Sequence, residues 1–129
     1  MNIRKYLPEN KHDFESVNVL KTLDKDELKE ILPELFEWLQ DGNWPISHSI
    51  ENILLRFDEE LIPHIHKVLQ TNDGQWKYFL LEGLVNRLPN SILIQLREDL
   101  IRIINDPTKD EELEELGNTA ANLLNKIRD

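Results

Sequence analysis

Apolar residues recur at intervals of three and four along most of this chain, the spacing that places them on one face of an α-helix. No stretch alternates apolar and polar residues as a half-buried strand would. Turn residues and prolines divide the pattern into about seven segments, so we predict an all-α protein. The predicted inward positions, helix by helix, are Phe14, Val17 and Leu20; Leu28, Ile31, Leu32, Leu35, Phe36 and Leu39; Ile46, Ile50, Ile53, Leu54 and Phe57; Leu61, Ile62, Ile65, Val68 and Leu69; Trp76, Phe79, Leu80, Gly83, Leu84 and Leu88; Leu93, Leu96, Leu100, Ile103 and Ile104; and Leu113, Leu116, Gly117, Ala120, Ala121, Leu124 and Ile127.

Capping residues mark where several of these helices begin. Asp13 is placed to cap the first helix, and residues 1–12, which show no period, are predicted to form an irregular N-terminal arm. Asp24 and Thr108 are each followed three residues later by a glutamate, which is the spacing of a capping box. We therefore expect a helix to start just after each of them.

The stretch from Trp38 to Pro45 joins two predicted helices. Asp41 and Asn43 are residue types that accept backbone hydrogen bonds at helix junctions, and Pro45 suits the first turn of the next helix. Trp44 is expected to anchor this joint by packing. Trp38 departs from the main apolar stripe, so we expect it to be partly exposed.

The apolar pattern repeats along the chain. A shift of 30 residues superimposes two helices and the turn between them, and shifts of 35 and 37 give a weaker third copy. Such hairpins, with a proline in the first helix, are typical of HEAT-type repeats, which stack into a short α-solenoid, a right-handed α–α superhelix. An ordinary helical bundle is the alternative. The pairs at the shift of 30 are Pro33 with Pro63, Leu35 with Ile65, Leu39 with Leu69, Gln40 with Gln70, Ile46 with Trp76, Ile50 with Leu80 and Leu54 with Leu84.

Three short motifs together resemble a known family. They are WLQDxNWP at residues 38–45, Ile-Pro-His-Ile at 62–65, and Trp76 with the two residues after it. Together they are similar to a small bacterial domain family of unknown function. Lys-His-Asp-Phe at 11–14 and Leu-Pro at 88–89 also look like that family, so the resemblance covers most of residues 7 to 89. This resemblance implies a HEAT-like helical fold and a bacterial cytosolic setting. It carries no catalytic residues to transfer.

Length, charge and composition limit the functions to consider. The 129 residues suffice for a single domain, predicted to span 1–129. Net charge is −10, from 25 acidic and 15 basic side chains, and the basic residues form no cluster, so we predict no nucleic-acid partner. No segment has the apolar length of a membrane span or a secretory signal, and we expect a cytoplasmic protein. The oligomeric state cannot be read from the sequence.

Arrangements that could support catalysis or bind a metal are absent from the pattern. His64 and His66 are two residues apart and point about 200° apart around a helix, so they do not converge on one ion. Ser47 and Ser49 flank His48, but neighbours in a helix do not face one another. The sequence has no cysteine and no glycine-rich phosphate loop. We predict no catalytic, cofactor-binding or metal-binding residue, and hence no enzyme.

A solenoid would bind partners along its concave face, which the second helix of each hairpin lines. The predicted function is a non-catalytic protein–protein interaction module. One alternative is an immunity-type inhibitor that blocks a basic toxin, such as a nuclease, through its acidic surface. Another is a small-ligand binder or enzyme that uses the concave groove. The candidate binding residues, paired by the shift of 30, are Ser47, His48 and Asn52 with Lys77, Tyr78 and Glu82.

Overall fold

A computed structural model describes residues 2–127, and all regular structure in that range is helical. This confirms the prediction of an all-α protein. The α-helices are α1 (Phe14–Leu20), α2 (Lys25–Leu28), α3 (Leu32–Glu37), α4 (Ser47–Leu54), α5 (Ile62–Leu69), α6 (Gly74–Glu82), α7 (Asn90–Leu93), α8 (Arg97–Asn105), α9 (Lys109–Leu113) and α10 (Leu116–Lys126). Five 3₁₀ turns accompany them within the described range, at Ile3–Tyr6, Lys29–Ile31, Glu59–Leu61, Val85–Arg87 and Ile94–Leu96.

Three of the helices begin with the same kind of junction. A 3₁₀ turn runs directly into α3, into α5 and into α8. Pro33 and Pro63 sit in the first turn of α3 and α5, where a backbone N–H would have no partner within the helix, so each proline starts a helix instead of kinking one. The starts of α3, α5 and α8 are 30 and 35 residues apart, the same intervals as the repeat in the sequence.

The helices are packed as hairpins in chain order. α3 packs against α4 and α5, and α5 packs against α6 and the 3₁₀ turn that leads into α8. α10 packs against α6 and α8, while α1 packs against α4. The first helices of the hairpins therefore adjoin one another, with α4, α6 and α10 as their partners.

Leucine, isoleucine and valine side chains fill one continuous core between these helices. Every predicted inward position on α2 to α5, except Ile62, is buried. The predicted capping boxes at Asp24 and Thr108 are both formed, and Asp13 caps α1 by accepting a hydrogen bond from Ser16 N at 3.0 Å. The N-terminal arm has more structure than we expected, because Ile3 is buried within a 3₁₀ turn. Residues 1, 128 and 129 of the predicted domain lie outside the described residues.

The apolar stripe was wrong in four places. Phe14 of α1 and Ile104 of α8 were predicted to point inward, but they are 43 % and 37 % exposed. On α6 the buried face is rotated by about one position, so that Lys77 and Leu81 are inside while Trp76 and Phe79 are only half-buried. Near the C-terminus the predicted single helix is broken between α9 and α10, and Leu113 is 75 % exposed. When adjoining helices and 3₁₀ turns are counted as one run, the described chain has eight runs that contain an α-helix, where about seven were predicted.

Candidate interaction surfaces

The joint between α3 and α4 is held by side-chain hydrogen bonds to the backbone and by packing of two tryptophan rings. Asp41 Oδ1 accepts a hydrogen bond from Asn43 N at 2.8 Å, as in a turn cap. Ser47 Oγ donates to the carbonyl oxygens of Trp38 and Asp41, at 2.9 and 2.8 Å. The rings of Trp38 and Trp44 meet edge to face with centroids 5.5 Å apart, and both are half-buried. The joint is thus a packed corner of the fold.

Of the six residues predicted to line a binding face, four are exposed. They are His48 and Asn52 on α4, and Tyr78 and Glu82 on α6. Ser47 and Lys77 are buried, which contradicts their assignment to an exposed binding surface. The shift of 30 correctly treated these two positions as equivalent, but both point inward.

A hydrogen-bonded bridge connects α4 to the turn that follows α6. Arg87 donates to Glu51 Oε1 at 3.0 Å through Nη1 and to Asn52 Oδ1 at 2.5 Å through Nη2. Gly83 makes the close approach possible, because a Cβ at that position would collide with the Glu51 carboxylate. Asn52 is therefore occupied within the fold, and His48, Tyr78 and Glu82 remain the accessible members of the predicted face.

We did not predict the cluster of buried charges that lies beneath α9. Lys77, 1 % exposed, donates through Nζ to Glu111 Oε2 at 2.8 Å. Arg102 binds both oxygens of the same carboxylate, at 2.6 and 2.7 Å. Lys77 Nζ also lies 2.8 Å from Asp110 Oδ2, an ion pair whose angles are not those of a hydrogen bond. The cluster ties α9 to both α6 and α8.

These contacts determine the ionisation of Glu111. Burial alone would raise its pKa, but hydrogen bonds from Arg102, Lys77 and the Thr108 amide outweigh burial and lower the pKa from 4.5 to about 2. Burial likewise opposes ionisation of Asp110, and its contacts with Lys77 and Thr108 lower its pKa. Both carboxylates are ionised at neutral pH and serve as fixed counter-charges.

The corner between α9 and α10 exposes an apolar side chain among carboxylates. Leu113 projects into solvent, and Glu112, Glu114 and Glu115 around it in the sequence are all exposed. Glu115 adopts a left-handed backbone conformation, with φ of 54°. Five acidic residues lie between positions 110 and 115, but Glu111 and Asp110 turn inward to the ion cluster, so three carboxylates face out. We call Leu113 with these three glutamates the acidic corner.

A second exposed apolar feature is the groove between α8 and α10. It has a volume of about 600 Å³. Ile94 and Ile104 at its edge are 51 % and 37 % exposed. Within residues 2–127, Arg97 is the only charged lining residue, and its guanidinium has no hydrogen bond or ion pair there. We call this feature the α8/α10 groove; its lining residues are Ile94, Arg97, Ile101, Ile104, Ala121, Leu124, Asn125 and Ile127.

The histidines take separate roles in the structure. His64 stacks on Phe36 with ring centroids 5.5 Å apart, and burial followed by the charge of Lys67 lowers its pKa. His66 Nδ1 lies 2.9 Å from Asp99 Oδ1, on the next hairpin. In the part of the chain that is described, no three His, Asp or Glu side chains are grouped to hold a metal ion.

Comparison with known proteins places the chain in one family. No curated protein matches it. No helix among residues 2–127 has the length and apolarity to cross a bilayer. A family model described as a domain of unknown function, DUF5071, matches residues 6–124, well beyond the 7 to 89 that the sequence motifs covered. The chain belongs to the DUF5071 family.

Proposed function

We propose that this chain is a non-catalytic protein-interaction module of the bacterial cytoplasm, built from HEAT-like helical hairpins. The α8/α10 groove is the observation that carries the proposal. Apolar patches of this kind on a folded domain mark interaction sites, since leaving them in water is unfavourable. The repeated 3₁₀ junctions before α3, α5 and α8 support the assignment to HEAT-like repeats.

The last hairpin presents two apolar faces. Leu100 and Ile103 of α8 pack inward on the core, while Ile101 and Ile104 line the groove. In a solenoid each hairpin buries one face on each neighbour, so an apolar outer face that no hairpin of residues 2–127 covers favours a docked partner. The groove is therefore where another protein would continue the stack.

Site-specific photo-cross-linking tests this function. Benzoylphenylalanine replaces Ile94 at the groove or, as the control, Phe14, a 43 % exposed residue on α1. After irradiation in the host cells, position 94 should give a discrete adduct with another protein and position 14 should not. Adducts that are absent at position 94, or identical at both positions, would count against an interaction module.

An immunity-type inhibitor of a basic toxin is the second candidate, and the acidic corner favours it. Leu113 is an exposed apolar side chain with three exposed carboxylates around it, which suits a basic partner that has an apolar pocket. The net charge of −10 would speed encounter with such a partner, because the two charges are complementary. If a basic protein is captured, its association rate should fall steeply as salt is raised from about 0.05 to 0.5 M. Replacing Glu112 and Glu114 by glutamine should reduce both the rate and its salt dependence. An unchanged rate in that variant would remove this candidate.

A further inference from the structure

We infer that the α8/α10 groove binds an amphipathic helix of a partner protein, and that a carboxylate on this helix pairs with Arg97. The inference rests on the proposed interaction function and specifies the partner's chemistry. The groove lies between two neighbouring helices, as in the helix-in-groove mode of recognition, in which apolar residues spaced three and four apart fill the cleft. Its apolar lining comes from both walls, with Ile94, Ile101 and Ile104 on one side and Ala121, Leu124 and Ile127 on the other.

Arg97 provides the polar part of the recognition. Among residues 2–127 it is the only charge in the lining and has no partner, and its side chain is exposed. A helix lying in the groove would take this guanidinium partly out of water, and an unpaired charge there would be costly. A glutamate or aspartate beside the partner's apolar stripe would satisfy it, with bidentate geometry available.

A second copy of this chain is a poorer occupant. A two-fold interface uses the same patch on both copies, so each Arg97 would have to find its counter-charge within the groove lining. Among residues 2–127, that lining contains no carboxylate. Two chains of net charge −10 also repel one another at long range.

A designed helix is the probe for this inference. It is a hydrocarbon-stapled peptide of about five turns, with leucine at every third or fourth position and one glutamate on each flank of that stripe. The matched peptide has lysine in place of both glutamates. Binding to the full chain is measured by titration calorimetry, and the contacted residues are mapped by amide chemical shifts. The glutamate peptide should bind at least about tenfold more tightly than the lysine peptide, with shifts on α8 and α10.

Charge reversal at Arg97 provides the decisive comparison. Arg97→Glu should invert the preference, so that the lysine peptide binds more tightly than the glutamate peptide. Lys11→Glu changes the net charge equally at an exposed position on the N-terminal arm, and should leave the preference unchanged. Ile94→Asp should abolish binding of both peptides. Because Ile94 is largely exposed, this variant should keep the circular dichroism spectrum of the native chain.

Four results would overturn the inference. They are failure of the glutamate peptide to bind, equal binding of both peptides, an unchanged preference in Arg97→Glu, and sedimentation of the native chain as a dimer that Ile94→Asp dissociates. Dodecanoate that shifts the groove amides while neither peptide binds would assign the groove to a small amphiphile instead. A protein adduct at position 94 would leave the proposed function standing in any of these cases, because cross-linking does not depend on helicity or charge.

Discussion

Replacing Glu111 by glutamine tests whether the buried ion cluster holds the C-terminal part of the fold in place. Glutamine keeps the volume of the side chain and an oxygen that can still accept the Thr108 amide hydrogen bond, so the helix cap survives. What is lost is the negative charge between Lys77 and Arg102. Buried Lys77 and half-buried Arg102 then face a neutral amide, whose NH₂ group cannot accept a hydrogen bond from either of them.

Two estimates of the cost agree. Lowering the Glu111 pKa from 4.5 to about 2, at about 1.4 kcal/mol for each pH unit, corresponds to about 3 kcal/mol of stability at neutral pH. Removing one partner of a buried ion pair typically costs about 3 to 5 kcal/mol. We expect Glu111→Gln to lower the free energy of unfolding by about 3 kcal/mol at pH 7, measured by urea denaturation followed by tryptophan fluorescence.

The Glu111 carboxylate makes the stability of the fold depend on pH. Above pH 4.5 the Glu111 carboxylate is ionised in both the folded and the unfolded chain, and its contribution is complete. As the pH falls from 4.5 towards about 2, the unfolded chain takes up the proton first, and the contribution disappears. The difference between the native chain and Glu111→Gln should therefore shrink across this window.

Glu112→Gln is the matched control, because it makes the same chemical change at the next residue of α9, where the side chain is exposed. It should change the free energy of unfolding by less than about 0.5 kcal/mol. A loss below about 1 kcal/mol for Glu111→Gln at pH 7 would refute the reasoning. A difference that stays constant down to pH 2 would do the same.

Four further substitutions or titrations test local parts of the structure. Gly74→Ala should cost about 1 to 2 kcal/mol in urea denaturation, because its Cβ would lie 2.5 Å from a backbone oxygen of α9. Gly117→Ala, in α10 with nothing within 4 Å of the added carbon, should instead gain about 0.5 to 1 kcal/mol. Glu115→Gly should raise the melting temperature through a gain of up to about 1 kcal/mol, because φ of 54° strains a side chain, and a fall would contradict this reasoning. The His64 imidazole should titrate below its ordinary pKa of 6.5 by NMR, so folding loses stability as the pH drops below 6.5; a midpoint at or above 6.5 would exclude this.

Local signals were sufficient to predict most of the helices. The capping residues at Asp13, Asp24 and Thr108 each mark a real helix start, because a cap is formed between residues two or three positions apart. The apolar face of α5 is buried almost as predicted, because its spacing is regular and Pro63 falls where a helix can start. Where spacing and caps decide the structure, sequence alone is enough.

Contacts between residues far apart in the sequence could not be predicted. Lys77 was read as a polar surface residue, since a lysine is rarely buried without a counter-charge. Its counter-charge, Glu111, is 34 positions away, and no periodicity connects the two. The one signal in the sequence was Glu111 of the capping box, because its carboxylate can accept hydrogen bonds from other side chains as well as from the Thr108 amide. The α8/α10 groove was missed for a related reason, because one helical stripe does not indicate how many of its residues a neighbour will cover.

The ion cluster also explains why the longest apolar stripe was misread. If α9 and α10 were one straight helix, at 100° per residue Glu111 would point about 130° away from the buried face of α10, and Leu113 would lie near that face. The structure reverses this, with Glu111 buried and Leu113 exposed. Only a break in the helix can change which residues face the core. The break occurs at Glu115, whose left-handed conformation costs about 1 to 2 kcal/mol. Leaving Lys77 and Arg102 without the Glu111 charge would cost about 3 kcal/mol, which exceeds the cost of this conformation. The acidic corner is thus a consequence of burying Glu111, so a partner that binds Leu113 would depend on Lys77 and Arg102 without touching them.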